Sequence, residues 1–317
     1  MADGVNGAAL CVGLTTLDVI HHVDEPLRPG TKQRCTGGEL IAGGPAANAA
    51  VTAARLLGSA RLVTAVGDGP AAAPVLSDLY EHRVEVLDVA TGDWPVPVAT
   101  ALVDVRTGER TVISPGATGA GGAPVPRSGL TDVLAGIRVV LLDGHHPALG
   151  ARVAALAAQA GIPVLLDAGS WKDDIVGLLP RVGVAACSAD FQPPGARRAG
   201  DDPWAAATVL HRHGVPTVLV TDGPNPVVWS TIDGDRGSVA VPAVRALDTL
   251  GAGDAFHGAL AAAYAVGARS LRSVADFAAQ VASVRCSVLG NRAWLADPAL
   301  RGADARLRAM TRRAPAR

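Results

Sequence analysis

Asp248-Thr-Leu-Gly-Ala-Gly-Asp-Ala-Phe-His-Gly-Ala-Leu260 is the stretch on which the reading of this chain turns. Val239, Val241 and Val244 alternate ahead of it, so Asp248 and Thr249 are expected to close an extended segment. Gly251, Ala252 and Gly253 leave almost no side chain over the next turn. From Asp254 the residues are rich in Ala and Leu with few breakers until Gly267, which predicts a helix. A Gly-Ala-Gly turn opening a helix presents bare N–H groups at the positive end of the helix dipole, a setting suited to phosphate. Asp254 falls in the first turn of that helix, facing the same spot. A carboxylate there repels phosphate, so anion binding alone gives no reason for it. Taking a proton from a hydroxyl that attacks phosphorus does. On the Gly-Ala-Gly alone, a plain Gly-rich turn with Asp254 as helix cap stays open.

The wider string is more specific. D-T-x-G-A-G-D followed by an apolar helix resembles the C-terminal signature of the PfkB/ribokinase family of carbohydrate and nucleoside kinases. The resemblance implies that Asp254 is the catalytic base and that the amides of Gly251, Ala252 and Gly253 form an anion hole. It also places Asp248 and Thr249 near a monovalent-cation site, with K⁺ as the ion to test.

Upstream, Ala8 to Leu14 is a short apolar run, expected as a buried parallel strand, and it leads into Gly13-Leu-Thr-Thr-Leu-Asp18. Ligand-contacting side chains lie just past the carboxyl ends of such strands, so Asp18 has a functional position as well as a turn-capping one. The resemblance makes it a binder of sugar hydroxyls. Gly43-Gly44-Pro45-Ala46-Ala47-Asn48 opens an Ala-rich helix to Leu57, stopped by Gly58. The glycines allow close approach of a ligand to the backbone, and Asn48 offers both donor and acceptor. The run resembles the family's G-G-x-x-x-N signature, whose Asn contacts the sugar; Val63 to Gly67 and Asp68 match the strand and turn that follow.

Residues 19–41 alternate weakly and carry many polar side chains, and Val96–Val105 and Arg110–Ser114 flank the turn Arg106-Thr-Gly-Glu109. Both regions read as exposed hairpins with one solvated face. The family resemblance turns them into lid segments, about 15–41 and 96–114, of a small β-sheet that also serves dimerisation. Apolar strands at 139–143, 163–167, 182–187 and 216–221 alternate with helix candidates at 147–160, 171–179 and 203–213. That order predicts an α/β fold with a mostly parallel central sheet covered by helices on both faces. The expectation is one ribokinase-like domain over residues 1–317 with the lid inserted in it. The Ala/Arg-rich tail from Ala303 reads as a short helix that frays.

The 317 residues are 49% hydrophobic and 18% charged with formal net charge −1, which gives no charge bias toward nucleic acid. Cys11, Cys35, Cys187 and Cys286 lack the spacing of a zinc site or disulfide framework. No apolar run is long enough to span a membrane, and Met1 to Asn6 lacks a basic region followed by an apolar stretch. A cytoplasmic protein is expected, with no membrane partner. Lys32 and Lys172 are the only lysines, and neither lies in a G-x-x-x-x-G-K-[ST] loop.

Val220-Thr-Asp-Gly-Pro-Asn225 matches the family's nucleotide loop through Thr221, Asp222 and Gly223, although Pro226 stands where a second Gly is expected. The family's N-x-x-E motif has no clean counterpart; Asp190 is the carboxylate left in the aligned region, holding Mg²⁺ through water while ATP phosphates supply the rest. Paired His145 and His146 at a strand end read as an ordinary polar turn without a third metal ligand. Within the family, Cys11-Val-Gly-Leu and Arg285-Cys-Ser-Val-Leu-Gly290 are similar to ketohexokinases. Gly43 to Ala47, Phe256 to Leu260 and Gly290-Asn-Arg292 are similar to bacterial sulfofructose kinases. Pro45 departs from the first pattern. Lys32 fits the second, while Ser114 and His145 stand where an Asn and a sulfonate-binding Arg are expected.

The implied activity is ATP-dependent phosphorylation of a primary hydroxyl on a small sugar, a ketose or ketose derivative. Lys32, Ser114 and His145 join Asp18, Gly43, Gly44 and Asn48 as candidate substrate residues. A nucleoside kinase is the alternative within the family; the 3% aromatic content offers few rings for a nucleobase. A catalytically silent sugar-binding protein is the alternative of another class.

Overall fold

The structure, a computed structural model, describes residues 9–91, 94–116, 123–126, 129–196 and 202–313. The first residue of the expected strand at Ala8 and the last four of the tail lie outside them. In chain order the first half comprises β1 (Ala9–Val12), β2 (Thr16–Val23), β3 (Gly37–Gly43), α1 (Pro45–Leu57), β4 (Ala60–Thr64), α2 (Ala72–Glu81), β5 (Val84–Asp88), β6 (Val98–Asp104) and β7 (Arg110–Ile113). Then come β8 (Val139–Leu142), α3 (Pro147–Gln159), β9 (Val164–Ala168), β10 (Val184–Ser188), α4 (Ala205–Arg212), β11 (Thr217–Asp222), β12 (Asn225–Thr231) and β13 (Arg236–Val239). The chain continues through α5 (Ala252–Ala265), α6 (Leu271–Cys286) and α7 (Leu300–Arg313).

The large sheet has nine strands in the order β13-β12-β11-β10-β9-β8-β1-β4-β5. From β11 to β5 the pairs are parallel, and β12 and β13 continue antiparallel. Strand side chains alternate between two cores, as a sheet covered on both faces requires. Ala9 and Cys11 join the core built with α1, α2, α5, α6 and α7, whereas Leu10 and Val12 join the core built with α3 and α4. A second sheet, β3-β2-β6-β7, pairs β2 antiparallel with β3 and parallel with β6. Its buried face holds Ile20, Ile41, Ala101 and Val103 against Leu250. The small sheet thus rests on the residue before Gly251.

Three local expectations change. The 171–179 helix is replaced by 3₁₀ turns at Asp173–Ile175 and Leu179–Arg181, since Gly177 and Pro180 interrupt any longer run. The strand expected at Val63 begins three residues earlier, at Ala60. The extended segment leading to Asp248 is regular strand only through Val239.

Helices α1 and α5 cross closely because both are rich in Ala and because α5 carries Gly258. A Cβ there would sit 2.4 Å from the Ala49 carbonyl oxygen and 2.6 Å from Thr52 Cβ. Gly258→Ala is therefore expected to cost roughly 1–3 kcal/mol through overpacking. Urea denaturation of the variant against wild type checks this.

Candidate active site

The turn ahead of α5 forms as the sequence suggests. Gly251 is the N-cap with φ 72°, a left-handed conformation that favours glycine, and no side chain caps the helix. Ala252 N donates to Thr249 O at 3.3 Å. The helix start thus presents backbone donors and the positive dipole end with no side chain over Gly253, where a Cβ would meet nothing within 4 Å.

Asp254 lies in the first turn, half-buried, and its Oδ2 accepts from Asn48 Nδ2 at 2.8 Å. Asn48 is one turn into α1, so the α1–α5 crossing sets this contact. Its Oδ1 accepts from Arg292 Nη1 at 3.1 Å, which fixes the amide orientation. Arg292 is itself held by Asp78 Oδ2 at 2.9 Å and the Ala42 carbonyl at 2.6 Å. Burial and the nearby Asp167 push the Asp254 carboxyl up to about 7; Asn48 and His257 oppose that, and Asp18 adds to it.

His257, one turn further along α5, is buried, with Nε2 3.0 Å from the Ala186 carbonyl. Its Nδ1 lies 3.1 Å from Asp167 Oδ2. Burial pulls the imidazole pKa down most strongly of any single cause, but Asp167, the Ala186 carbonyl and Asp254 together turn the net displacement upward.

Asp18 stands on β2 and is buried, accepting from Thr16 Oγ1 at 2.5 Å. Burial raises its carboxyl above the ordinary range, against the Thr16 hydroxyl and Arg292. The double glycine serves this packing. A Cβ on Gly43 would lie 2.0 Å from the Asp18 carboxyl carbon, and one on Gly44 2.4 Å from the Leu14 carbonyl oxygen. The room a Cβ would need at these two residues is taken by the Asp18 carboxylate and the Leu14 carbonyl.

The remaining sequence candidates spread around this centre. Thr221, Asp222 and Gly223 form the β11–β12 hairpin corner, where Asp222 pairs with Asn225 and the register shifts between Val220 and Asp222. Pro226 sits beside that irregularity, where the lost N–H costs no regular ladder bond. Asp190 is exposed just past β10, its amide bonded to Ser188 Oγ at 3.2 Å. Lys32 is exposed in the loop joining β2 to β3. Ser114 is exposed after β7 and accepts from Gly116 N. His145 follows β8, its amide bonded to Asp143 Oδ1 at 2.9 Å, while His146 is buried and its Nδ1 accepts from Ala123 N. Thr249 Oγ1 donates to Gly108 O at 2.8 Å, tying the β6–β7 turn to the motif. Asp248 is buried against Arg285, at 2.9 Å.

Sequence reasoning did not single out Asp167 or Asp143, or the contacts of Arg292 and His257. A signal existed for the two aspartates, since each ends an apolar strand candidate at the ligand side of a parallel sheet. Arg292 stands out in the sequence only within Gly290-Asn-Arg292, and its bond to Asn48 appears only in the fold.

The uncapped start of α5, the raised carboxyl of Asp254 in its first turn and the buried Asp18 on β2 stand together in a ribokinase-like fold. The pfkB family carbohydrate kinase profile matches residues 7–296. The chain belongs to that family and is an ATP-dependent sugar kinase. It is 27% identical over 294 residues to a ribokinase of Arabidopsis thaliana, covering 88% of this chain and 76% of the relative. It is 23% identical over 309 residues to a Mus musculus ketohexokinase, with 89% and 96% covered. The solved Arabidopsis thaliana ribokinase complexed with ribose and ATP superposes with TM-score 0.74 at 21% identity, covering 96% and 99% of the two chains, a likeness of fold. No helix among the described residues is long and apolar enough to cross a membrane.

Proposed function

We propose that this kinase transfers the γ-phosphoryl group of ATP to a primary hydroxyl of a small ketose or ketose derivative. The carrying observation is Asp254 beside the uncapped α5 start, its pKa pushed up to about 7 and its orientation held by Asn48. A base of that pKa is available near neutral pH and keeps the proton it accepts better than an ordinary carboxylate. Asp254 takes the hydroxyl proton, and the Gly251, Ala252 and Gly253 amides stabilise charge on the group in transfer. Asp18 and Asn48 orient the sugar; Lys32, Ser114 and His145 are the residues that would distinguish one sugar from another. Thr221, Asp222 and Gly223 line the nucleotide phosphates.

An ion carried in by the nucleotide needs few ligands from the protein. Mg²⁺ would neutralise charge between the β- and γ-phosphates, with Asp190 reaching it through water. The test is an ATP-coupled panel of ketoses, aldoses, sulfosugars and nucleosides with the Asp254→Asn protein as blank. Turnover of a ketose supports the reading; turnover of adenosine or cytidine with no sugar turnover overturns it.

We further propose a homodimer through the small sheet. Leu40 is 56% exposed, Val98 49%, Val112 47% and Ile113 66%, on strands of that sheet. A second copy covers such a face, as sheets left uncovered are a liability. Sedimentation equilibrium is expected to give twice 31.9 kDa. A single-chain mass would exclude the dimer.

A further inference from the structure

The family resemblance places a monovalent cation beside Asp248, and the residues present do not fit one. Asp248 and Arg285 are each 1% exposed. Arg285 Nη2 donates to Asp248 Oδ2 at 2.9 Å and to Asn291 Oδ1 at 3.2 Å. Its Nη1 donates to the carbonyls of Val288 at 3.2 Å and Asp248 at 3.4 Å. One carboxylate, one side-chain amide oxygen and two backbone carbonyls are the ligand set an alkali ion takes. Here all of them turn to a guanidinium. The carboxylate has little left to give, because Oδ2 also accepts from Gly290 N at 3.2 Å and Oδ1 from Leu250 N at 2.9 Å. Thr249, the other residue matched to the cation site, spends its hydroxyl on Gly108 O and Arg110.

Charge decides the matter. The pair of one carboxylate and one guanidinium is neutral. A further cation beside it would add a buried charge without a partner, which the low-dielectric interior disfavours. We infer that Arg285 is a resident cation that substitutes for a soluble monovalent ion in this enzyme. Its role is positional. It clamps Asp248, Asp248 clamps the Leu250 amide, and Leu250 leads directly into the Gly251 turn where the phosphoryl group is received.

The turnover half of this inference rests on the sugar-kinase reading; the stability half does not. Initial rates and melting temperature of the wild-type protein are measured in KCl against tetramethylammonium chloride at equal ionic strength. Both are expected to be the same in the two salts. Arg285→Met removes the charge but leaves a cavity beside Asp248. That variant is expected to lose turnover and melt earlier, and to recover part of both in KCl but not in tetramethylammonium chloride. Arg285→Lys keeps a buried charge and stays indifferent to the salt, so it carries the test if the Met variant does not fold. Severalfold activation of the wild-type protein by K⁺, or a K⁺-specific rise in its melting temperature, would overturn the inference. So would an Arg285→Met protein with full turnover and no response to K⁺. A protein that turns over no sugar, yet melts alike in both salts, separates failure of the kinase reading from failure of this one.

Discussion

Asp254→Asn is expected to lower kcat by about a hundredfold or more, the usual contribution of a positioned general base. ATP binding, followed by calorimetry, stays nearly intact because no contact to the nucleotide is removed. The wild-type pH profile gives the same carboxyl a second readout. Since it is pushed up to about 7, kcat/KM is expected to rise with pH through that value and level off above it. The sign of the stability effect follows from the same displacement. A carboxyl raised in the folded state favours the protonated form there, so its contribution is present in acid and is lost as pH rises through about 7. The melting temperature of Asp254→Asn relative to wild type should therefore climb between pH 4 and pH 8. A turnover near wild type in Asp254→Asn removes the base assignment, whatever the melting data show.

The second large effect is expected at Gly43. A methyl group there would overlap the Asp18 carboxylate, at 2.0 Å from its carbon and 2.0 Å from Oδ2, so the carboxylate must leave its place. Hydrogen bonds to a charged group contribute on the order of 1.5–3 kcal/mol, so losing them to the sugar should raise its KM by about ten- to a hundredfold. Asp18→Ala should give a similar rise without adding bulk. If Gly43→Ala leaves the sugar KM unchanged while Asp18→Ala raises it, Asp18 binds sugar and the eviction argument fails. If neither raises it, Asp18 is a packing residue alone.

Much of the architecture was legible because parallel strands covered on both faces leave short apolar runs, and α/β alternation follows from their spacing. The 248–260 motif was legible because a left-handed Gly251 and an apolar helix leave a local trace. What escaped were pairings made across the chain. Asn48 meets Asp254 across 206 residues and Arg292 across 244, and neither separation leaves a local pattern. The surroundings of the expected cation site were hidden in the same way. Asp248 and Thr249 match the family, but the residue bonded to the Asp248 carboxylate is Arg285, 37 positions away. Gly43 and Gly44 stood out as glycines, but a missing side chain does not say whether a ligand or the protein uses the room. Pro226 looked like a damaged loop until the register shift beside it supplied a place for a residue without an N–H.

The close crossing of α1 and α5 at Gly258 ties the Asn48–Asp254 contact to the hydrophobic core, whereas the loop joining β2 to β3 contributes no buried apolar residue to either large core. Evolution and laboratory selection therefore meet two regimes in one molecule. Residues 24–36, Lys32 among them, can be exchanged, lengthened or recharged to try new sugars at little thermodynamic risk. Substitutions in the helices that carry Asn48 and Asp254 alter stability and chemistry together. Libraries aimed at a new substrate belong in the loop, and variants recovered there should keep the parent's melting temperature while changing which sugar is phosphorylated.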